Sequence, residues 1–115
     1  AIGDARKTVY GRAATTCMER EKIQADGRTI EVAMLPQVST YLLNGEVDAG
    51  FINRSEALAH KDKLGTILPM PAQCHNPIDL SLAVLKDRPA SPALQSWTQF
   101  LGSNKAKSIL ERHGL

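Results

Sequence analysis

The residues of this chain that could act as nucleophiles, bases or metal ligands are three histidines, two cysteines and twelve carboxylates. His75 follows Cys74 directly, but sequence neighbours rarely face each other as base and nucleophile, and Pro77 nearby reads as a loop. His60 and His113 fall near the ends of expected helices, where a protonated imidazole complements the dipole. The acids are interspersed with Lys and Arg, as on a solvated surface. No phosphate loop, nucleophile elbow or zinc-ligand spacing occurs. The pattern calls for no enzyme, metal or cofactor. Cys17 and Cys74 form no CxxC pair. They read most simply as small buried apolar residues, with one disulfide open to them in an oxidising compartment.

Anion capture has better support. Two expected helices begin directly after loops, one near Tyr10-Gly11 and one near Leu35-Pro36-Gln37. Unpaired N–H groups at a helix start hold oxyanions without any cationic side chain. Gly11 would admit a close approach, and Asn53, just past an apolar stretch, aims an amide at the same region. In open α/β sheets ligands sit beyond the carboxyl ends of the strands, where these three loops should converge.

The scaffold that must position them has 115 residues, enough for one domain and too few for two independent cores. At 43% apolar and 23% charged it is ordinary globular material, and its net charge of +2 is too mild for a nucleic-acid footprint. No apolar run approaches the roughly 20 residues that span a bilayer. The opening Ala1-Ile2-Gly3-Asp4 reads as the end of a buried strand, so the chain is expected to begin within a larger protein or to be processed from one.

Hydrophobic period and punctuation predict alternating strands and helices. A helix is expected from Val9 or Tyr10 to Ile23, with Ala13, Ala14, Cys17, Met18 and Glu21 at helical spacing and an Ala25-Asp26-Gly27 stop. A strand over Thr29 to Met34 would place Ile30, Val32 and Met34 on one face. Pro36 suits the first position of a second helix, with Val38, Tyr41 and Leu42 as its stripe and Asn44-Gly45 closing it. Val47 to Ile52 reads as a buried parallel strand in which Gly50 permits close approach. A short helix over Arg54 to His60 follows. Strands over Thr66 to Leu68 and Ile78 to Leu85 would flank a connector marked by Pro69, Pro71 and Pro77. Two last helices are capped by Ser91 and Ser103, the first turning Leu94, Trp97 and Leu101 inward, the second Ala106, Ile109, Leu110 and His113. This order predicts an α/β fold with an open, mostly parallel sheet flanked by helices.

Three blocks then carry a resemblance. Ala1-Ile2-Gly3-Asp4 with Tyr10-Gly11-Arg12-Ala13-Ala14 resembles the "A-[IV]-G-D … Y-G-x-[YA]-A" stretch of molybdate-binding proteins, the extracytoplasmic receptors of ABC importers for molybdate and tungstate. Leu43-Asn44-Gly45-Glu46-Val47-Asp48-Ala49-Gly50-Phe51-Ile52, with Ser55-Glu56-Ala57 after it, is similar to that family's second block. Phe100-Leu101-Gly102-Ser103 through Ile109-Leu110-Glu111-Arg112-His113-Gly114-Leu115 is similar to its ending. The blocks occur in order and cover nearly the whole chain.

The resemblance implies one lobe of a two-lobed type-2 periplasmic binding protein. Residues 1–77 would form the second lobe, and 78–115 the crossover strand and C-terminal helices that pack on a first lobe. It implies oxyanion contacts from the backbone N–H of Tyr10 beside Gly11, from that of Leu35, and from the side chain of Asn53, where the family commonly has a Tyr hydroxyl. Pro36 narrows the donor set by one N–H. The implied ligand is molybdate or tungstate, the partner an ABC permease, the location periplasmic or extracytoplasmic. Arg6, Lys7 and Arg12 could steer anions. The apolar faces of the last two helices would be covered by self-association or by a first lobe. The same fold also serves as the effector-sensing domain of transcription regulators, and a bare interaction module with a decayed site is a third reading.

Overall fold

Parallel pairing of two very short strands organises the first half of the chain. In the computed structural model, which describes residues 1–25, 27–86 and 91–115, strand β1 (Ile2–Gly3) lies beside β2 (Glu31–Val32). Ile2 N–H donates to the Ile30 carbonyl at 2.9 Å and Asp4 N–H to that of Val32 at 2.7 Å. On the other edge of β1, the Ala1 nitrogen donates to the Ala49 carbonyl at 2.7 Å, and Phe51 N–H donates to the Ala1 carbonyl at 3.1 Å. One residue bonded to both neighbours of its opposite number is the parallel pattern. The expected strand over Val47 to Ile52 therefore runs along β1 but is not regular strand, because Ala1 alone pairs with it.

Each of the three lines leads into a helix: α1 (Val9–Arg20) after β1, α2 (Leu35–Leu43) after β2, and α3 (Arg54–Ala59) after the 49–52 stretch. The chain divides into two units, Ala1–Ile78 and Asp79–Leu115. In the first, Val32, Leu35 and Val38 form the buried cluster, flanked by Ala1, Tyr10, Tyr41, Leu42 and Ile52. Val38 is wholly enclosed, which is worth about 1.5–3 kcal/mol for a side chain of this kind. Gly50 makes that possible, since a Cβ there would lie 2.7 Å from Val38 Cγ1 and 3.1 Å from Leu42 Cδ1. The close approach expected at Gly50 is thus made by α2.

Helix α1 turns Gly11, Ala14 and Cys17 inward and stops at Glu21, followed by Lys22 with φ of 54°. It ends short of Ile23, and Glu21 is a cap rather than a member of the buried face. Of the expected Ala25-Asp26-Gly27 stop, Asp26 lies outside the described residues, while Gly27 has φ of 71°. Helix α2 closes at Asn44 with Gly45 at φ 71°, as its punctuation predicts. A short 3-10 turn, Ala72–Cys74, is held to α1 by the Cys17–Cys74 disulfide. Both cysteines are buried, as expected, and they are joined.

Other expected strands are absent. Thr66 to Leu68 and Ile78 to Leu85 have no strand partner among the described residues, and Leu68, Leu80, Leu82 and Leu85 are exposed. In β2 only Val32 is buried, while Ile30 and Met34 stay exposed because the strand spans two residues.

In the second unit, Ser91 and Ser103 cap α4 (Pro92–Leu101) and α5 (Asn104–Arg112), accepting from Leu94 N–H at 3.1 Å and Ala106 N–H at 3.2 Å. Ala106 is buried, and the Trp97 and Phe100 rings stack with centroids 5.8 Å apart. Trp97 itself remains 52% exposed, Leu94 and Leu101 are half-buried, and His113 is exposed. No described helix is long and apolar enough to cross a membrane.

Candidate anion site

Parallel strands end at the same edge, so the turns after β1, β2 and the 49–52 stretch leave one side of the sheet. The first turn is built on Asp4. Its carbonyl accepts from Lys7 N–H at 3.1 Å, Thr8 N–H at 2.9 Å and the Thr8 hydroxyl at 3.1 Å. Its buried carboxylate takes Arg6 N–H on Oδ1 at 2.8 Å, with Arg6 Nε at 3.5 Å and Lys7 Nζ at 3.6 Å. The Arg6 backbone hydrogen bond, outweighing desolvation and joined by the two cations, holds this carboxyl below its ordinary range. Two of the three expected steering cations are thereby paired with Asp4. The third, Arg12, reaches the Ala5 carbonyl at 3.4 Å.

Thr8 then caps α1, its Oγ1 accepting from Gly11 N–H at 2.9 Å. The Gly11 N–H is consumed inside the turn. A Cβ at Gly11 would meet the Gly3 carbonyl and lie 2.7 Å from the Asp4 carbonyl. The close approach at Gly11 is therefore by the backbone of β1. The N–H groups of Val9 and Tyr10, the first two of α1, have no partner among the described residues. The Tyr10 side chain packs on the Val32–Leu35–Val38 cluster.

At α2, Leu35 is the first helical residue and Pro36 the second, one place later than expected. Met34 N–H donates to Gln37 Oε1 at 3.1 Å and Gln37 N–H to the Met34 carbonyl at 3.1 Å. Pro36 has no N–H. The Leu35 N–H therefore stands without a partner among the described residues, over a buried side chain. At α3, Asn53 is the cap, its Oδ1 accepting from Glu56 N–H at 2.8 Å. Its Nδ2 has no partner among the described residues. Tyr10, Leu35 and Ile52, the residue before Asn53, share one hydrophobic cluster. Every donor left over here is uncharged. No group of three or more His, Cys, Asp or Glu able to hold a metal ion occurs among the described residues.

A sequence model of the family described as bacterial extracellular solute-binding protein matches residues 1–115. The chain belongs to that family. A Bacillus subtilis protein provisionally named ABC transporter substrate-binding lipoprotein YvgL is 31% identical over 78 residues, 68% of this chain and 30% of the relative. A Haemophilus influenzae protein provisionally named a binding protein is 36% identical over 73 residues, 61% of this chain and 29% of the relative. The chain thus spans under a third of the length of these relatives. No solved structure matches it significantly. The short parallel sheet with helices leaving its carboxyl edge fits a portion of this family's α/β fold.

Sequence pattern alone assigns no site role to Asp4, Thr8, Ser39 or Glu56. Two of them carried a signal: Thr8 three places before Gly11 is cap spacing, and Asn53 followed by Glu56 three places on has the form of a capping box.

Proposed function

We propose that this chain is part of an extracytoplasmic solute-binding protein that captures a tetrahedral oxyanion such as molybdate or tungstate and delivers it to an ABC importer. The observation that carries the reading is the set of uncharged donors at one sheet edge: the N–H groups of Val9, Tyr10 and Leu35 and the NH2 group of Asn53, none partnered among the described residues. The name of the Bacillus subtilis relative, with its ABC transporter and substrate-binding terms, supports the importer half of the reading. The extracellular description of the family supports the location and does not favour a regulator's sensing domain.

The mechanism follows from neutrality. Preorganised N–H donors in a dry cleft stabilise a dianion by complete hydrogen bonding, so selectivity rests on cavity size and on satisfying every ligand oxygen. Closure of two lobes over the anion would give the permease a distinct shape to recognise. The donors on this chain are one share of such a set. Each charge-assisted hydrogen bond is worth roughly 1.5–3 kcal/mol, and a partial set costs many decades of affinity.

The test is a titration of this chain with molybdate at millimolar concentration, followed by amide NMR. Shifts centred on Val9, Tyr10, Leu35 and the Asn53 side chain are expected, with sulfate and phosphate weaker. An absence of shifts at these four positions would overturn the reading. Submicromolar affinity measured by calorimetry on this chain would instead overturn the expectation of weak binding by a partial donor set, while supporting oxyanion capture.

A further inference from the structure

Ser39 is buried on α2, 4% exposed, and makes no contribution to the donor set. A buried hydroxyl is costly unless paired. Its Oγ donates to Glu56 Oε2 on α3 at 2.8 Å, a charge-assisted bond between the two helices. The same carboxylate oxygen lies 3.7 Å from His60 Nε2, one turn on. Glu56 also acts through its main chain, donating its N–H to Asn53 Oδ1 at 2.8 Å. One residue therefore holds the Asn53 amide with its backbone and α2 with its side chain. Leu35 and Ser39 are one turn apart on α2, so the tether starts from the helix face that carries the Leu35 donor.

We propose that Glu56, tethered to α2 by Ser39, is a positioning residue that holds Asn53 as a donor-only group beside the α2 start. An N–H facing the amide can be met only by its oxygen, which fixes the NH2 group on the opposite side. This rests on the oxyanion reading and sharpens it. A donor-only amide matches a ligand oxygen that carries no proton, since the proton of a protonated oxygen would find no acceptor on this amide.

Amide hydrogen exchange and side-chain NMR on the whole chain test it. In the unsubstituted chain, the Glu56 N–H should be protected and the Asn53 NH2 protons unprotected; the reverse would overturn the assignment without any variant. In Ser39→Ala and in Glu56→Ala, protection of the residue-56 N–H should fall by about tenfold or more, while amides around Cys17 in α1 keep theirs. Glu56→Gln retains an acceptor for the Ser39 hydroxyl and should restore most of the protection. The double alanine variant should be no worse than either single one. Unchanged protection at residue 56, or an equal loss throughout α1, would overturn the positioning role. Molybdate added to the same samples separates the two readings. An intact tether effect with no molybdate shifts leaves the positioning role standing and overturns the oxyanion reading.

Discussion

Arg20 and Gln73 are joined at 2.8 Å, guanidinium Nη1 to main-chain carbonyl, one helical turn beyond the residue that forms the disulfide on α1. The same guanidinium reaches Asn76 Oδ1 through Nη2 at 3.1 Å. Chain that carries three prolines and no regular strand is thereby fastened to α1 at Cys74, Gln73 and Asn76. The disulfide closes a sequence separation of 57, for which the chain-entropy estimate is about 4 kcal/mol. Replacing both cysteines by serine should lower the urea-unfolding free energy by about 2–4 kcal/mol. Arg20→Ala, at an exposed site, should cost about 1 kcal/mol or less. A double-serine chain as stable as the original would rule out a structural role for the bridge.

Asp4 predicts an acid dependence with a definite sign. Its carboxyl titrates below the ordinary range in the folded chain, chiefly through the Arg6 backbone N–H. The unfolded value is about 3.9. The charged form therefore stabilises the fold above that pH, and the contribution is lost as pH falls through the lower folded value. Asp4→Asn should lower the melting temperature at neutral pH and flatten the fall in stability below about pH 4. Melting temperatures of the two chains that fall in parallel down to pH 2 would contradict this.

Gly11→Ala separates helix propensity from packing. In an isolated helix the change would stabilise by about 0.8–1 kcal/mol. Here the new methyl group collides with the carbonyls of Gly3 and Asp4, and backbone cannot swing aside as a side chain can. The expected outcome is a loss of about 1–3 kcal/mol or more in denaturant unfolding. A gain in stability would show that α1 rides further from β1 than described.

Trp97, 52% exposed and stacked on Phe100, predicts association. Burying this ring, with the exposed Leu110 of the same helix pair, would remove apolar surface from water. Sedimentation should show a concentration-dependent shift to larger species, and Trp97→Ser should move the chain toward the monomer. A monomer at every concentration would refute the expectation.

Helices were more legible in the sequence than strands, for a physical reason. A helix satisfies its own backbone, and the residues that start and stop it are local: Ser91 and Ser103 cap where expected, and Asn44-Gly45 ends α2. A strand needs a neighbour, which local pattern cannot supply. Ile78 to Leu85 has the apolar content of a strand but no partner among the described residues, and Val47 to Ile52 finds only Ala1. Within the candidate site, the helix starts at Tyr10 and Leu35 were readable from breakers and period. The Thr8 and Glu56 spacings signalled caps at Gly11 and Asn53, but which atoms the caps take from a ligand was not readable, because capping competes with ligand for the same atoms and only coordinates decide the winner.

The pairing of Ala1 with residues on both sides sets a timetable for folding. Its nitrogen bonds to a carbonyl 48 positions later, and Ile2 beside it waits for Ile30. On a ribosome moving from the amino end, the central line of the sheet emerges before either flank exists. It must stay unpaired for several seconds at a synthesis rate of roughly 5–20 residues per second. Closure then comes late and over long range, the slow kind of contact in folding. Of the three lines of this sheet, the one made first is thus secured last, and its two-residue strand offers little edge for a wrong chain to pair with in the meantime.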